Sequence, residues 1–515
     1  MKALARPLDA AAAALVCLLA IVIATGGSTV RGIPLTRPED FLVALVAVVA
    51  LRLLAAPVAL PAARPSRVVG VGVAVYVLVM GFIVVTRHLT FQTHALDLGY
   101  YVQVVWSIAR GHGAYVTLPP MHAWGDHFSP VLYLLAPLGW LWPGGTALLV
   151  TQTLILAGGA VALYRYAAGR LAPRPDAGRL AAGLALLYLV NPSLHGVNVR
   201  DIHPQAFTIP LVIGAALAFD TRRYGWCAAA LALIFTGRED CAVAVLGFGV
   251  WLALARGRRL TGALVAVLAV AVLFADVTWV MPYFRGSPYP HLNRYQHLGA
   301  SLGDILVTLP FRPWRWLAVV VTAKKLVYLL AMLAPFAFLP LLAPRTLAAA
   351  LPGLALNLMS LDPVLVNYRS QYVSLVLPFL ALAAVDGYRR LGAWADARPR
   401  PRLTAPGALL AFAFLAAAAL TARTVNDLAV PRWMPTAEQR ELRRLLPRIP
   451  PEAAVSTNER LVPHLATRRE VYIFPVLGEL SAYVLERDAV IARPALPAHR
   501  PVARAGGFVL LRRGG

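Results

Sequence analysis

Long apolar runs separated by short polar segments dominate the chain. A helix needs about twenty predominantly apolar residues to cross a bilayer, and thirteen runs are candidates for such spans. They cover residues 9–25, 41–60, 68–86, 145–164, 180–194, 205–219, 226–237, 241–255, 260–281, 317–341, 346–360, 371–388 and 404–421. Several runs in the 180–255 stretch are shorter than a full span. This favours broken or re-entrant helices that are buried by their neighbours.

The composition agrees with this pattern, because 59% of the residues are hydrophobic and only 14% are charged. Soluble globular proteins are far more polar. The sequence therefore predicts an all-α polytopic membrane protein with about 11–13 transmembrane helices. The three cysteines, Cys17, Cys227 and Cys241, lie in or beside apolar runs, so neither a disulfide framework nor a CxxC metal site is predicted.

A formal net charge of +24 raises the question of nucleic acid, but the distribution of the charge excludes it as a partner. Most arginine clusters lie in short loops between apolar runs, where basic residues mark the cytoplasmic side of a membrane protein. Lys2 and Arg6 place the N-terminus inside, and Arg256, Arg258 and Arg259 mark another inner loop. The predicted location is the inner (plasma) membrane, with the C-terminus outside.

This orientation requires that residues 127–145 do not cross the membrane, and the three prolines within them favour an interfacial position. Residues 87–144 then form a long first outer loop that carries two interfacial helices. Residues 422–515 are more polar and contain short β-prone runs, "AAVST" and "REVYIF". We expect three parts: N-terminal transmembrane helices over 1–67, a transmembrane core over 68–421, and a small extracytoplasmic α/β segment over 422–515.

Under this topology the acidic, histidine and isolated arginine residues collect on the outer face. The candidate site residues from these loops are Asp97, Asp126, His127, Arg200, Asp201, His203, Arg238, Glu239, Asp240, Arg294, Tyr368, Arg369 and Gln371. A charged group at the membrane boundary costs several kcal/mol unless it is solvated or paired. The sequence therefore predicts a polar cavity that opens to the outer side.

Three of these features have alternative interpretations. Asp97 precedes an amphipathic segment and can act as a helix N-cap. In "GRED", Arg238 and Asp240 can simply pair with each other across a helix–helix turn. In "GDHF" and "RDIHP", Asp126, His127 and Asp201 are of the residue types that bind a divalent cation, so a metal cofactor stays open.

No glycine-rich nucleotide loop, GxSxG or HExxH motif occurs in the sequence, which argues against nucleotide hydrolysis as a driving reaction. Other segments are more specific: "LDLGYYVQ", "GDHFSPVLYLLAPLGWLWPGG", "NPSLHGVNVRDIHPQAF", "GREDCAV" and "NYRSQYVSLVLPFL". Over roughly residues 68–490 the chain resembles a family of prokaryotic polytopic membrane proteins related to the GT-C glycosyltransferases. The resemblance implies a GT-C-like fold and transfer of a sugar from a polyprenyl-phosphate donor at the outer membrane face.

The resemblance also implies roles for individual residues. Asp97 matches the acidic base of the first outer loop, and Glu239 or Asp240 matches the acids of a later loop. The chain departs from the commonest pattern because Asp97 stands alone instead of in an adjacent acidic pair.

A lipid-phosphate leaving group needs cationic and polar partners. The candidates for substrate binding are Arg200, His203, Arg238, Arg294, Tyr368, Arg369 and Gln371. The rival interpretation is a transporter or flippase for a lipid-linked or small polar substrate, in which the same buried charges bind a substrate without bond breaking. No inverted repeat supports that alternative.

Overall fold

The computed structural model describes residues 4–55, 63–397, 406–478, 481–491, 496 and 498–514. The helices of the first part are α1 (Ala5–Thr25), α2 (Pro38–Ala55), α3 (Pro65–Leu89), α4 (Tyr100–Ala109), α5 (Leu132–Leu141), α6 (Gly145–Leu171), α7 (Ala177–Leu189), α8 (Pro192–Val199), α9 (Thr208–Asp220), α10 (Tyr224–Phe235), α11 (Ala242–Ala255), α12 (Arg259–Ala275) and α13 (Met281–Arg285). Those of the second part are α14 (Leu302–Phe311), α15 (Pro313–Val320), α16 (Ala323–Leu333), α17 (Pro344–Leu347), α18 (Leu351–Leu358), α19 (Leu377–Ala397), α20 (Pro406–Leu420), α21 (Ala422–Asn426), α22 (Val430–Trp433), α23 (Ala437–Leu445), α24 (Val462–Leu465) and α25 (Asp488–Ile491).

Four described helical segments are long and apolar enough to cross a membrane: α1, α3, α6 and Arg259–Arg285, which joins α12 to α13. The number rises to six if each of two bent pairs forms one span. One pair is α7 with α8, bent by 42°, which agrees with the broken helices expected in the 180–255 stretch. The predicted 11–13 spans also count shorter apolar helices, among them α10 with 12 residues. Part of the predicted span 41–60 lies outside the described residues.

The span predicted over 317–341 is not one straight helix, because the chain bends there. α15 and the helix that follows it enclose an angle of 68°. The ammonium group of Lys325 donates hydrogen bonds to the carbonyl oxygens of Val319 at 2.8 Å and Ser360 at 3.1 Å, and it also contacts that of Leu358. Lys325 thus satisfies carbonyl groups near the C-terminal ends of both α15 and α18, which have no helical partners. This lysine links the bend to α18.

Helix α19 lies at the centre of the bundle. Its residues from Leu377 to Val385 are buried on all sides, and it packs against α6 and α9. A helix that is apolar around its whole circumference is typical of a buried core position. α6 in turn packs against α3 and α7.

Residues 87–144, which are predicted to be the first outer loop and keep that name below, contain two helices and a hairpin. The helices are α4 and α5, which are the two short helices expected there, and the antiparallel hairpin consists of β3 (Tyr115–Thr117) and β4 (Pro120–His122). A second hairpin, β1 (Ser28–Val30) with β2 (Ile33–Leu35), follows α1. A π-helical turn over Ala95–Gly99 leads directly into α4, and this turn carries Asp97.

The C-terminal part forms the small α/β unit that the sequence predicts. Its strands are β5 (Val455–Thr457), β6 (Val471–Ile473), β7 (Tyr483–Arg487), β8 (His499–Ala505) and β9 (Phe508–Arg513). They form one sheet in the order β6-β5-β7-β9-β8, with β5 parallel to both β6 and β7 and the remaining pairs antiparallel. The division at residue 422 stays a prediction, and α21 and α22 still pack against α2 and α3.

This C-terminal unit docks onto the first outer loop. The hydroxyl group of Thr117 donates a hydrogen bond to the carbonyl oxygen of Val471 at 2.6 Å, and the Gln103 amide donates one to that of Arg469 at 3.0 Å. The imidazole rings of His88 and His464 stack with their centroids 4.1 Å apart. These contacts place the sheet beside the turn that carries Asp97.

Candidate functional site

Asp97 contacts His203 and lines a polar cavity. Its Oδ1 atom accepts a hydrogen bond from His203 Nε2 at 3.2 Å, and 43% of its side chain is exposed. Gly99, not Asp97, precedes α4, and Asp97 forms no helix-capping hydrogen bond. The N-cap alternative therefore fails. A π-helical turn is itself a feature that recurs at functional sites.

The surroundings of Asp97 favour its charged form. Burial alone would raise the pKa of the Asp97 carboxyl, but the hydrogen bond and charge of His203, together with His94 and Arg200, lower it below its usual value. Asp97 is therefore ionised at neutral pH and able to accept a proton.

The turn is fixed from two directions. Asp201 Oδ2 accepts a hydrogen bond from the backbone N–H of His94 at 2.9 Å. From the C-terminal unit, Glu459 Oε1 lies 2.8 Å from His94 Nδ1, and Arg460 donates a hydrogen bond to the carbonyl oxygen of Gln92 at 2.7 Å. Burial raises the pKa of Asp201 to about 7, so this carboxyl is partly protonated at neutral pH.

Asp97 borders a polar cavity of about 380 Å³, which we call the arginine cavity. It is lined by Arg87, His94, Asp97, Gly196, Val199, Arg200, Asp201, Asn367, Arg369, Arg423, Asn426, Asp427 and Arg432. A Cβ atom at Gly196 would clash with the backbone of Arg369, so the absent side chain lets the segment with Arg369 approach α8 closely. The cavity joins the first outer loop to the segment that follows α20.

A second group, which we call the acid–histidine cluster, consists of Asp126, His127, Glu239 and His291. His127 Nδ1 lies 3.0 Å from Glu239 Oε1, and the rings of His127 and His291 stack at 4.8 Å. One possible ligand atom from each of Asp126, His127 and His291 lies within 4.8 Å of the others. Burial lowers the pKa of His127 to about 4 and that of His291 to about 3, so both imidazoles are neutral at neutral pH.

Beside this cluster lies a group of cationic and aromatic side chains. Arg238 Nε donates to Asp240 Oδ1 at 2.9 Å, so the pairing expected for a helix–helix turn is present. The guanidinium groups of Arg238 and Arg294 lie 5.1 and 5.4 Å from the ring centroid of Tyr372. Arg294 also donates to the Tyr372 hydroxyl at 2.8 Å and contacts Asp362 at 3.3 Å.

Tyr101 lies between Asp97 and these groups. Its ring contacts that of His203 at 6.3 Å, centroid to centroid. Burial raises the pKa of the Tyr101 hydroxyl, the charge of Arg238 opposes that rise, and the charges of Asp126, Asp97 and Glu239 add to it. The Tyr101 hydroxyl group is therefore close enough to both Asp97 and the acid–histidine cluster to interact electrostatically with each.

The structure divides the candidate residues into two groups around Asp97. Arg200, Asp201 and Arg369 line the arginine cavity, whereas Asp126, His127, Glu239, Asp240, Arg238 and Arg294 lie in or beside the acid–histidine cluster. Asp201 does not join Asp126 and His127 in the described cation-ligand group, because it is held under the Asp97 turn. His291 takes that third place.

Two candidate residues lie outside both groups. Tyr368 packs half-buried against the hydrophobic core, and Gln371 Oε1 is buried without a hydrogen-bond partner in the described part of the chain. Sequence reasoning did not assign a site role to His291, Arg87, Arg423 or Arg432. These residues come from distant segments and no local motif marks them. The charge in the outer segments was their only signal.

Comparison with known proteins gives a family and a fold. A family described as predicted membrane protein (DUF2079) matches residues 87–503. No curated protein sequence matches the chain. Among solved structures, ArnT from Cupriavidus metallidurans bound to undecaprenyl phosphate has a TM-score of 0.53 and 15% identity, covering 86% of this chain and 97% of ArnT.

The oligosaccharyltransferase AglB from Archaeoglobus fulgidus, solved with an inhibitory peptide and a dolichol-phosphate, has a TM-score of 0.39 and 13% identity. It covers 81% of this chain and 69% of AglB. The likeness to ArnT confirms the expected GT-C-like fold, and at such low identity it shows the fold alone.

Proposed function

The chain belongs to the DUF2079 family of predicted multi-pass membrane proteins, and from this premise, together with its ArnT-like fold, we propose that it is a GT-C-type glycosyltransferase. It transfers a sugar from a polyprenyl-phosphate donor to an acceptor hydroxyl group. The observation that carries this proposal is the ionised, half-exposed Asp97, which accepts a hydrogen bond from His203 and lines the arginine cavity.

We assign the donor phosphate to the side of Asp97 that holds Arg238, Arg294 and Tyr372. The guanidinium groups of the two arginines both lie against the Tyr372 ring. Arg238 is buried and paired with Asp240, whereas Arg294 is partly exposed and can donate a charge-assisted hydrogen bond to a phosphate. The solved ArnT holds undecaprenyl phosphate, and a ligand of the same class suits the present chain.

The reaction needs a base on the acceptor and stabilisation of the leaving group. Asp97 removes the proton of the acceptor hydroxyl, whose oxygen then forms the bond to the anomeric carbon of the sugar. The bond between that carbon and the phosphate oxygen breaks, and the phosphate leaves on the lipid with the bonding electrons. Arg238 and Arg294 stabilise its charge, while His203 keeps the Asp97 carboxylate oriented.

The acid–histidine cluster fits a divalent cation. His291 Nε2 is buried and has no hydrogen-bond partner among the described residues, and both histidines are neutral and therefore able to act as ligands. Asp126, His127 and His291 would hold the ion, with Glu239 orienting His127. A bound cation would supply positive charge beside the donor phosphate.

We further propose that the site faces the extracytoplasmic side of the inner (plasma) membrane, with the N-terminus in the cytoplasm. This orientation rests on the arginine-rich loops, which cluster on the opposite side in the predicted topology.

The test of the function is transfer of a labelled sugar from polyprenyl phosphate by the purified protein in lipid. Asp97→Asn keeps the size of the side chain but cannot accept the proton, so turnover should fall by about two to four orders of magnitude. Binding of the lipid donor should change little. Asp488→Asn, an exposed aspartate of the C-terminal unit, serves as the matched control and should transfer normally.

Full activity of Asp97→Asn would exclude Asp97 as the base. If the sugar is taken up into sealed vesicles and none is transferred, the rival interpretation as a transporter or flippase is favoured over the glycosyltransferase.

A further inference from the structure

The arginine cavity contains cationic groups that the rest of the protein does not neutralise. In the described part of the chain, Arg200, Arg423 and Arg432 are exposed at the cavity and form no ion pair. Arg369 is only 8% exposed, and its one side-chain hydrogen bond in the structure goes to the neutral hydroxyl of Thr424 at 3.3 Å. Arg87 Nε is also buried without a partner among the described residues. An exposed arginine is solvated by water, but a buried guanidinium group without an acidic partner, such as that of Arg369, favours an anionic ligand.

The charge balance of the cavity points the same way. Five arginines face three aspartates, a surplus of at least two positive charges because Asp201 is partly protonated. One of these aspartates, Asp427, already lies 3.8 Å from Arg87. Burial lowers the pKa of Arg369, the charges of Tyr368 and Asp427 oppose this change, and the charges of Arg423 and Arg200 add to it, so the three guanidinium groups repel one another. A doubly charged anion would remove that repulsion.

The lining also limits what kind of anion fits. Val199 is the one apolar side chain among the lining residues that the structure describes, and the others are charged or amide groups, histidine and Gly196. Such a surface offers no favourable contact to an isoprenoid chain, whose burial needs apolar neighbours. A volume of about 380 Å³ is in the range of small-molecule sites. The ligand is therefore polar, compact and anionic.

We propose that the arginine cavity binds an anionic group, of the phosphomonoester class, on the acceptor substrate. This inference rests on the proposed function, because Asp97 lines the cavity and the positive charge of Arg200 favours the ionised form of Asp97. The anionic group lies against Arg369, Arg423 and Arg200, and the acceptor hydroxyl reaches Asp97 from the cavity. The lipid donor occupies the other side, at Arg238 and Arg294.

Direct binding measurements with a small probe test this assignment. Glucose 6-phosphate, with uncharged glucose as its neutral counterpart, is titrated into the full-length protein in nanodiscs of uncharged lipid, and undecaprenyl phosphate is titrated separately. The wild-type protein should bind glucose 6-phosphate at least tenfold more tightly than glucose. The double variant Arg200→Gln/Arg423→Gln should lose at least tenfold of that affinity and keep its affinity for undecaprenyl phosphate within about twofold.

Two further variants separate the sites. Arg440→Gln removes an exposed arginine of α23, outside the cavity, and should bind both probes like the wild type. Arg294→Gln should weaken undecaprenyl phosphate and leave glucose 6-phosphate unaffected.

Equal affinities of the wild type for glucose and glucose 6-phosphate would overturn the proposal. The proposal would also be overturned if the cavity variant lost its affinity for undecaprenyl phosphate and kept its affinity for glucose 6-phosphate. The cavity would then be the donor site, and the assignment as a glycosyltransferase would stand. If the protein binds no undecaprenyl phosphate but still selects glucose 6-phosphate through these arginines, the anion site stands and the proposed donor is wrong.

Discussion

Asp201 has an unusual backbone for a residue with a side chain, with φ at 60°, and its buried carboxyl accepts the N–H of His94. Its pKa is raised to about 7 by burial, against about 4 in an unfolded chain. Between these pH values the folded protein binds a proton that the unfolded chain has lost. The contribution of Asp201 to the free energy of unfolding therefore falls as the pH rises from about 4 to 7.

Asp201→Asn should remove this dependence, because an amide oxygen still accepts the His94 N–H and asparagine tolerates a positive φ. Relative to the variant, the wild type should lose thermal stability between pH 5 and pH 8. Thermal unfolding midpoints of both proteins at the two pH values measure the effect. A difference that stays constant or changes in the opposite direction would mean that Asp201 is ionised throughout.

His291 offers a test of the cation site that does not depend on catalysis. His291→Gln removes one of three possible ligands, and loss of a ligand or of its supporting group typically weakens metal binding by about 10–100-fold. Equilibrium dialysis with Zn²⁺ or Mn²⁺ measures the affinity. His297→Gln, six residues further along, leaves the ligand group intact and is the matched control. Equal binding by both variants would remove the cluster as a metal site.

Among individual residues, the sequence identified Asp97 because it follows a span and begins an amphipathic segment. It also identified Arg238 and Asp240, because charges between two apolar runs are costly. It missed the place of His291, which lies 164 positions after His127. Local patterns carry the period of a helix and the position of a turn, whereas the stacking of two distant rings depends on how the whole bundle packs.

The π-helical turn Ala95–Gly99 is the element on which the site depends most. A Cβ atom at Gly99 would lie 2.9 Å from Val462 Cγ1 and 3.5 Å from the backbone nitrogen of Pro463, both in the C-terminal unit. Val462 is fully buried and has little room to move. The absence of a side chain at Gly99 therefore permits the close contact between the turn and α24.

Gly99→Ala should displace this turn and lower the rate of sugar transfer by about tenfold, since misplacement of a catalytic group by about 1 Å has effects of up to about a hundredfold. Gly158→Ala in α6, where a Cβ atom meets nothing within 4 Å, is the matched control and should be as active as the wild type. The transfer assay on both variants gives the answer. Normal activity of Gly99→Ala would show that the turn tolerates a shift of the C-terminal unit.

The apolar pattern predicted most of the helices and a break in the 180–255 stretch, but not the bend after α15. The runs 9–25, 68–86 and 145–164 correspond to α1, α3 and α6, because an uninterrupted apolar segment of this length has few alternatives to a helix. The break between α15 and α16 leaves no comparable trace. Lys325 links it to carbonyl groups near residue 360, and such a partner cannot be read from the local sequence.

At the scale of the whole molecule, the orientation in the membrane is a prediction that labelling can decide. The cysteine-depleted background replaces Cys17, Cys227 and Cys241. Single cysteines are then introduced by His112→Cys, Ser287→Cys and Arg258→Cys. These three residues are exposed, and each stands next to a glycine of positive φ that is itself left unchanged, because a side chain there would be strained.

An impermeant maleimide added to intact cells should modify the cysteines at 112 and 287 and leave the cysteine at 258 unmodified until the cells are lysed. If the first two cysteines are protected and the third is labelled, the orientation is the reverse of the predicted one and Asp97 lies on the cytoplasmic side.

The docking of the C-terminal unit also sets a schedule for biosynthesis. Arg460 donates a hydrogen bond to the carbonyl oxygen of Gln92, which precedes it by 368 residues in the sequence. The ribosome therefore adds nearly three quarters of the chain between the synthesis of the two residues. At typical rates of synthesis this takes roughly 20–75 s. Throughout that time the nascent protein carries Asp97 without the contacts from Glu459, Arg460 and Val462 that hold its turn. If translation stops early, the released product contains Asp97 but an incomplete site. Whether a molecule can be active therefore depends on the C-terminal unit, which is synthesised last.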